Sequence, residues 1–339
     1  MENQTNSKSL TKKALNIFYY LFFVGIAVYA LYYCFKDIRI EEFINQVKSA
    51  NYLLIGISMV VGVLVFIVRA LRWNILIRTL GHNPSTYNTY NSLLIGYMAN
   101  LAVPRIGEII RCAVLNKTNK IPVDSLFGTV VTERVIDLLT LFMAIILVFF
   151  LRMEFFIEFI TDKVIPQWTN ISTATLIIVA VVAIVAVVVL FFLAKRLLKL
   201  PSMSKIKGIV IGLLEGIKSI FRMKDKFSFI SYTIIIWFCY WLTSYLVLEA
   251  LPYTSALTPA DGLFLMVLGS LGWVVPVPGG MGTFHALVAW GLAMYGISSS
   301  DGVVFATISH ESQLIGTVLF GLIALVSVSF AKKKLNTNS

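Results

Sequence analysis

Charge is scarce in this 339-residue chain: 13% of its residues are Asp, Glu, Lys or Arg, against 58% apolar. Soluble domains run nearer roughly 25% charged and 45–50% apolar. A compact water-soluble globule is therefore excluded, and lipid must cover much of the surface. Cysteine is rare as well. Cys34, Cys112 and Cys239 are scattered and odd in number, which argues against a disulfide framework and against thiolate ligation of a metal. Histidine is limited to His82, His285 and His310, too few for a His-rich metal site. No Gly-Lys-Ser/Thr phosphate loop is present, so the sequence points to no nucleotide-driven machine and to no cofactor.

What the chain has instead is long apolar runs. Spanning helices, each needing about 20 apolar residues, are expected at 15–35, 52–71, 126–151, 173–194, 227–249 and 303–330. The first is too long for a signal-peptide core and has no small-x-small cleavage site, so it is read as a retained helix. Two further stretches are broken: 88–103 ends at Pro104, and 259–297 is interrupted by Val275-Pro276-Val277-Pro278-Gly279-Gly280-Met281-Gly282. Backbone freed by Pro and Gly at membrane depth needs protein or water partners, which confines such breaks to cavities and re-entrant hairpins. The predicted fold is all-α: a single polytopic membrane helix bundle over 1–339, with six full crossings and two re-entrant segments.

The net charge of +11 sits mostly in loops between apolar runs, a membrane pattern rather than a nucleic-acid footprint. Counting 69–82, with Arg69, Arg72 and Arg78, as one basic loop places every basic loop and both termini on the cytoplasmic side. A multi-pass protein of the cell (inner) membrane is expected. Residues 15–151 and 173–330 each read helix, helix, broken segment, helix. Each half crosses three times, so the pattern is that of an inverted repeat, a transporter architecture. Segment 195–226 holds nine Lys/Arg against Glu215 and Asp225, with apolar residues at helical spacing. It reads as an amphipathic helix on anionic headgroups of the inner leaflet, or as a plain cytoplasmic connector.

Four polar constellations interrupt the apolar runs. The first runs from Asn100 through Pro104, Arg105, Gly107 and Glu108 to Arg111. Pro104 and Gly107 break the helix, and Arg105, Glu108 and Arg111 recur every three residues, along one side of a restarted helix. Charges near the bilayer centre cost roughly 3 kcal/mol each on insertion scales, so they need partners or water. Two Arg against one Glu leave one guanidinium for a phosphate, which it can grip with two parallel hydrogen bonds. The second is Glu133-Arg134 with Asp137. Only fourteen residues follow to Leu151, roughly 21 Å of helix, so these charges lie inside the membrane. The third is Pro278, Gly279, Gly280, Gly282 and His285, a turn whose glycines let backbone approach a ligand and whose restarted helix at Thr283 aims free amides at an anion. The fourth is His310-Glu311 with Gln313. With His285, these are candidate proton carriers. For each constellation the alternative stays open that it only packs: a basic loop, an ionic lock, a tight turn, a satisfied histidine.

At these places the chain resembles the lysylphosphatidylglycerol synthase transmembrane-region family, the flippase-like proteins, and the flippase half of multiple-peptide-resistance-factor proteins. The carriers are Arg72-Trp73, Asn100 with Pro104 to Glu108 and Arg111, Glu133-Arg134 with Asp137, and Pro278 to Gly282, over roughly Leu53 to Phe330. The resemblance implies a membrane phospholipid substrate, anionic, aminoacylated or glycosylated, moved between leaflets. His285 stands where the family usually carries Glu, and no soluble acyltransferase domain precedes Ser339, so aminoacyl transfer is not carried over and a non-enzymatic transporter is expected. Two rivals remain: a membrane-embedded lipid-modifying transferase, and a non-catalytic membrane partner of a lipid synthase.

Overall fold

The computed structural model describes residues 2–164 and 223–337, with side chains over 18–162 and 223–330. Among the described residues the chain is helical, without strands. Helix α1 (Glu2–Phe35) is followed by the short α2 (Ile40–Lys48), then α3 (Tyr52–Arg78), α4 (Thr86–Ala102), α5 (Ile106–Asn119), α6 (Val123–Leu151) and α7 (Met153–Phe159), which runs into a π turn at Ile160–Val164. Beyond residue 222 come α8 (Lys226–Ala250), α9 (Pro259–Val274), a 3₁₀ turn at Pro278–Gly280, α10 (Thr283–Ala293) and α11 (Ser299–Thr337). Five helical stretches are long and apolar enough to cross a membrane: Phe18–Phe35, Tyr52–Arg78, Val123–Leu151, Lys226–Ala250 and Ser299–Phe330. They match five of the six expected crossings. The sixth, 173–194, and nearly all of the expected amphipathic segment 195–226 lie outside the described residues.

Helices α3 and α8 form the central antiparallel pair. At one end the Asn51 amide donates to the Ala250 carbonyl at 2.8 Å, and Ser58 Oγ donates to the Thr243 carbonyl at 3.1 Å. At the other end Arg78 pairs with Asp225 at 3.3 Å. Large apolar side chains left exposed on the outer helices, such as Leu138, Phe142 and Phe150 on α6 and Ile234 and Phe238 on α8, are surface for lipid tails to cover.

Both broken stretches are hairpins that enter and leave at one end of the bundle. Asn88, in the first turn of α4, donates from Nδ2 to Oδ1 of Asn119, the last residue of α5, at 2.9 Å. Midway along, α4 and α5 touch backbone to backbone: a Cβ on Gly107 would stand 2.0 Å from the Gly96 carbonyl oxygen. The second hairpin closes likewise. Phe264, near the start of α9, meets Tyr295, just past α10, with ring centroids 6.0 Å apart, and a Cβ on Gly272 would lie 2.7 Å from Phe284 Cα. The α4–α5 hairpin opens at the Arg78 end. The α9–α10 hairpin opens at the Asn51 end, where Arg152, following α6, pairs with the buried Asp261 at 2.9 Å. Asp261 also accepts the Thr258 amide at 2.8 Å, which closes a capping box and starts α9 sharply.

Exchanging α3 with α8, α4 with α9, α5 with α10 and α6 with α11 leaves most of the packing unchanged. The neighbours α3–α4, α4–α5, α5–α6, α3–α6 and α4–α11 become α8–α9, α9–α10, α10–α11, α8–α11 and α9–α6, and all are in contact.

Candidate functional site

The tips of the two hairpins meet. Arg105, in the gap between α4 and α5, donates from Nη2 to the Val274 carbonyl at the end of α9, 3.1 Å away. A Cβ on Gly279 would lie 3.1 Å from Leu101 Cδ2. The chemistry of the tips explains their sequences. Arg105 takes a left-handed φ of 63°, a conformation that costs a non-glycine residue roughly 1–2 kcal/mol. Pro104 ends α4, and Asn100 Oδ1 then accepts the free Gly107 amide at 2.6 Å, covering a donor that the new helix leaves unpaired. In the other tip Gly279, Gly280 and Gly282 have φ of 57°, 72° and 79°. Pro278 opens the 3₁₀ turn.

Next to the first tip lies a buried ion cluster. Glu133, on α6, is 0% exposed. Its Oε1 accepts from Arg69 Nη2 and Arg72 Nη2, both at 3.0 Å, and its Oε2 accepts from Arg111 Nη1 at 2.9 Å. Asp137, one turn on, takes Arg72 at 2.7 Å and Arg69 at 3.5 Å. Arg134 stands 3.6 Å from Glu108 and 3.9 Å from Asp137. Arg69 also donates to Tyr240 of α8, and Arg134 donates to Tyr97 of α4 at 3.3 Å. Trp73 lies under the Arg111 guanidinium at 4.6 Å and fixes itself by donating to Thr129 at 2.8 Å. Among the described residues, four guanidinium groups, of Arg69, Arg72, Arg111 and Arg134, thus face three carboxylates, of Glu108, Glu133 and Asp137, and leave one positive charge over. Among the described residues Arg111 Nη2 and Nε and the Nε of Arg69, Arg72 and Arg134 have no hydrogen-bond partner. Glu133 lies ten residues into α6, roughly 15 Å along a helix long and apolar enough to cross a membrane.

Several expectations are corrected here. Arg69 and Arg72 are not loop residues: α3 continues to Arg78, and both side chains point into the cluster, where Glu133 and Asp137 neutralise them. Only Arg78 is left to that basic loop. Arg105, Glu108 and Arg111 do not line one side of a restarted helix, because Arg105 is left-handed and outside α5. Nor does Glu108 neutralise Arg111; it faces Arg134, and Arg111 turns to Glu133. Arg134 and Asp137 do face each other three residues apart. Tyr97 and Tyr240 were not visible in the sequence as site residues, since an aromatic in an apolar helix carries no mark of its partner.

The second tip has its own polar cluster. His310 Nε2 donates to the Gly279 carbonyl at 2.8 Å, and its Nδ1 faces Glu311 Oε1 at 2.9 Å. His285 Nε2 stands 3.9 Å from the same oxygen. Trp273 stacks on His310 with centroids 5.3 Å apart. The donor atoms of His285, His310 and Glu311 spread over up to 4.8 Å, looser than the roughly 3.4 Å edges of a zinc tetrahedron, and both nitrogens of His310 are already engaged. Gln313 is apart from this group; its Nε2 donates to Ser58 Oγ at 3.1 Å, knitting α11 to α3.

The two clusters correspond. Arg111 follows Pro104 by seven residues, as His285 follows Pro278 by seven. Each faces a carboxylate on the long helix after its hairpin, Glu133 on α6 and Glu311 on α11.

Comparison with known proteins agrees with this architecture. The family model described as lysylphosphatidylglycerol synthase TM region matches residues 20–321. The UPF0104 membrane protein MJ1595 of Methanocaldococcus jannaschii is 29% identical over 126 residues, 36% of this chain and 35% of that protein. The glycosyltransferase AglD of Haloferax volcanii is 29% identical over 102 residues, 30% of this chain and 16% of that protein. The matched regions thus span about a third and about a sixth of those curated relatives. No solved structure matches the chain significantly. The chain is an integral, multi-pass membrane protein and belongs to the lysylphosphatidylglycerol synthase transmembrane-region family.

Proposed function

We propose that the protein moves an anionic phospholipid between membrane leaflets, with the headgroup held where the two hairpin tips meet. One observation carries this: tips from opposite ends of the bundle touch beside a buried cluster that holds one more guanidinium than carboxylate. A phosphate is the natural counter-ion, since Arg grips it with paired hydrogen bonds. Unpartnered nitrogens on Arg111 and Arg134 offer the donors. Exposure rises outward from Glu133, at 0%, to Glu108 at 20% and Arg134 at 41% of the side chain, so the headgroup enters past Arg134. Opposed re-entrant hairpins suit alternating access, in which either tip can part from a fixed site.

The Arg78 end is placed in the cytoplasm of a cell-membrane protein, with both termini. That end carries Arg78, Lys117, Lys120, Lys224 and Lys226 against Asp124 and Asp225, whereas the Asn51 end mixes Lys36, Arg39, Lys48 and Arg152 with Asp37, Glu41, Glu42, Glu154 and Glu158. Anionic headgroups of the inner leaflet are the expected surface partner. A transferase acting on the same lipid phosphate draws on the name of the Haloferax relative. The cluster favours transport, because each of its carboxylates faces an Arg and, among the described residues, no Ser, Cys or Lys nucleophile hydrogen-bonds to one of them.

Purified protein in liposomes carrying labelled phosphatidylglycerol or phosphatidylcholine tests the proposal. Faster exchange of the anionic lipid between leaflets, lost on Arg111→Gln, is expected. Equal rates in empty liposomes overturn it, and a change in the lipid's mass supports the transferase instead.

A further inference from the structure

We propose that His310 and Glu311 form a proton-binding site whose occupancy latches the Gly279 turn to α11. A carbonyl oxygen only accepts, so the Gly279 contact fixes the proton of His310 on Nε2. In a neutral ring Nδ1 is then a bare lone pair. It faces a carboxylate oxygen at 2.9 Å, a hydrogen-bond distance between two acceptors. A hydrogen bond there requires one further proton, as imidazolium with carboxylate or as imidazole with carboxylic acid.

When that proton leaves to water, His310 cannot keep both partners. It retains Nε2–H on Gly279 and repels Glu311, or it moves its proton to Nδ1, holds Glu311 and releases the turn. Glu311 is 41% exposed and gives the proton a way out. The released turn is the one against Leu101 and beside the Arg105–Val274 bond, so the proton governs one of the two contacts that join the tips.

The surroundings leave this pair in control. Among the described residues, His285 of α10, 3.9 Å from Glu311 Oε1, is the other titratable group at the site and a second stop for the proton. In α9 the one ionisable side chain is Asp261, in the first turn and paired with Arg152; from Gly262 to Gly282, the rest of α9 and the turn, there is none. α3 presents Ser58 and Gly62 to Gln313. α1 brings Cys34 beside Ala289 and Val303 and the Tyr20 hydroxyl to the Ala102 carbonyl at 3.4 Å, α2 brings Gln46 to Asp301 near the start of α11, and the phenols of Tyr97 and Tyr240 lie in the Arg cluster. The counterpart of His285 in the first hairpin is Arg111, whose charge is permanent. One half is thus fixed in charge and the other is switchable. The consequence for transport rests on the proposed lipid movement; the proton site itself does not.

Three histidines make the test direct. Full-length protein in lipid nanodiscs, labelled with nitrogen-15 in the imidazoles, gives three ring signals, and His82→Gln and His285→Gln assign the third to His310. Across a pH series from about 5 to 9, the His310 ring is expected to lose a proton or change tautomer. In Glu311→Gln the amide donates to Nδ1 without any extra proton, so one Nε2–H form should persist at every pH in that range. A wild-type ring that never changes, or a titration that survives Glu311→Gln unaltered, overturns the site. So does a stoichiometric Zn²⁺ shift of the His310 nitrogens, which would assign the gap to a metal. Leaflet exchange on the same samples is a separate readout: titration without lipid movement supports the latch and removes only the transport proposal.

Discussion

Arg111 and His285 occupy matching places in two opposed hairpins, each seven residues past the proline of its tip and each facing an acid on the next long helix, Glu133 at 2.9 Å and Glu311 at 3.9 Å. The correspondence ties the sequence breaks to the packing. In each tip proline and glycine break the helix and let the next one fold back closely, and seven residues past the proline a cationic or titratable side chain reaches the bundle interior.

Glu133 holds three arginines at once, so its removal should be far worse than its own size suggests. Glu133→Gln leaves Arg69, Arg72 and Arg111 without their shared charge, and breaking a buried pair costs roughly 3–5 kcal/mol. A large fall in the detergent melting temperature, or loss of folded protein, is expected. Glu133→Gln combined with Arg111→Met should recover part of it, and melting curves of the two variants compare them.

Gly107→Ala should force α5 off α4, because the added carbon would stand 2.0 Å from the Gly96 carbonyl oxygen. Overpacking of this kind costs about 1–3 kcal/mol or more. Gly128→Ala, inside α6 with nothing within 4 Å, should be neutral or stabilise by up to about 1 kcal/mol. Thermal unfolding of the pair provides the check, and equal melting temperatures would contradict the close approach.

Single cysteines at Asn88 and Lys117, in a background without the native three, should both react with an impermeant thiol reagent from the side that labels Arg78→Cys. Cysteines at Ala260 and Gly296 should react from the other side. Labelling of Asn88 and Lys117 from opposite sides would turn the first hairpin into a full crossing and undo the opposed arrangement.

Much of this was legible in the chain. Pro104, Gly107 and the Pro278 to Gly282 run announce breaks because nothing else frees backbone so abruptly in an apolar stretch. The short run from Leu138 to Leu151 places Glu133 and Asp137 at depth by length alone. Arg69 and Arg72 were not legible as site residues, since a charge near the end of an apolar run looks interfacial until its partner is known. That partner lies more than sixty residues away on α6. The pairing of Arg152 with Asp261 was hidden for the same reason. Buried ions are settled by tertiary contact, and hydropathy ranks them only by local sequence.

Headgroup binding at the tips is tested most directly by the lipid that travels with the protein. Native mass spectrometry of protein extracted from a mixed membrane should show retained anionic phospholipid, enriched over zwitterionic lipid. Arg111→Gln with Arg134→Gln removes two of the four guanidinium groups while Glu133 keeps Arg69 and Arg72, and retention should fall at least about tenfold, the equivalent of 1.4 kcal/mol. Wild-type protein that holds anionic lipid no better than zwitterionic lipid, or a double variant that holds it equally well, would contradict a phosphate site in the buried arginine cluster.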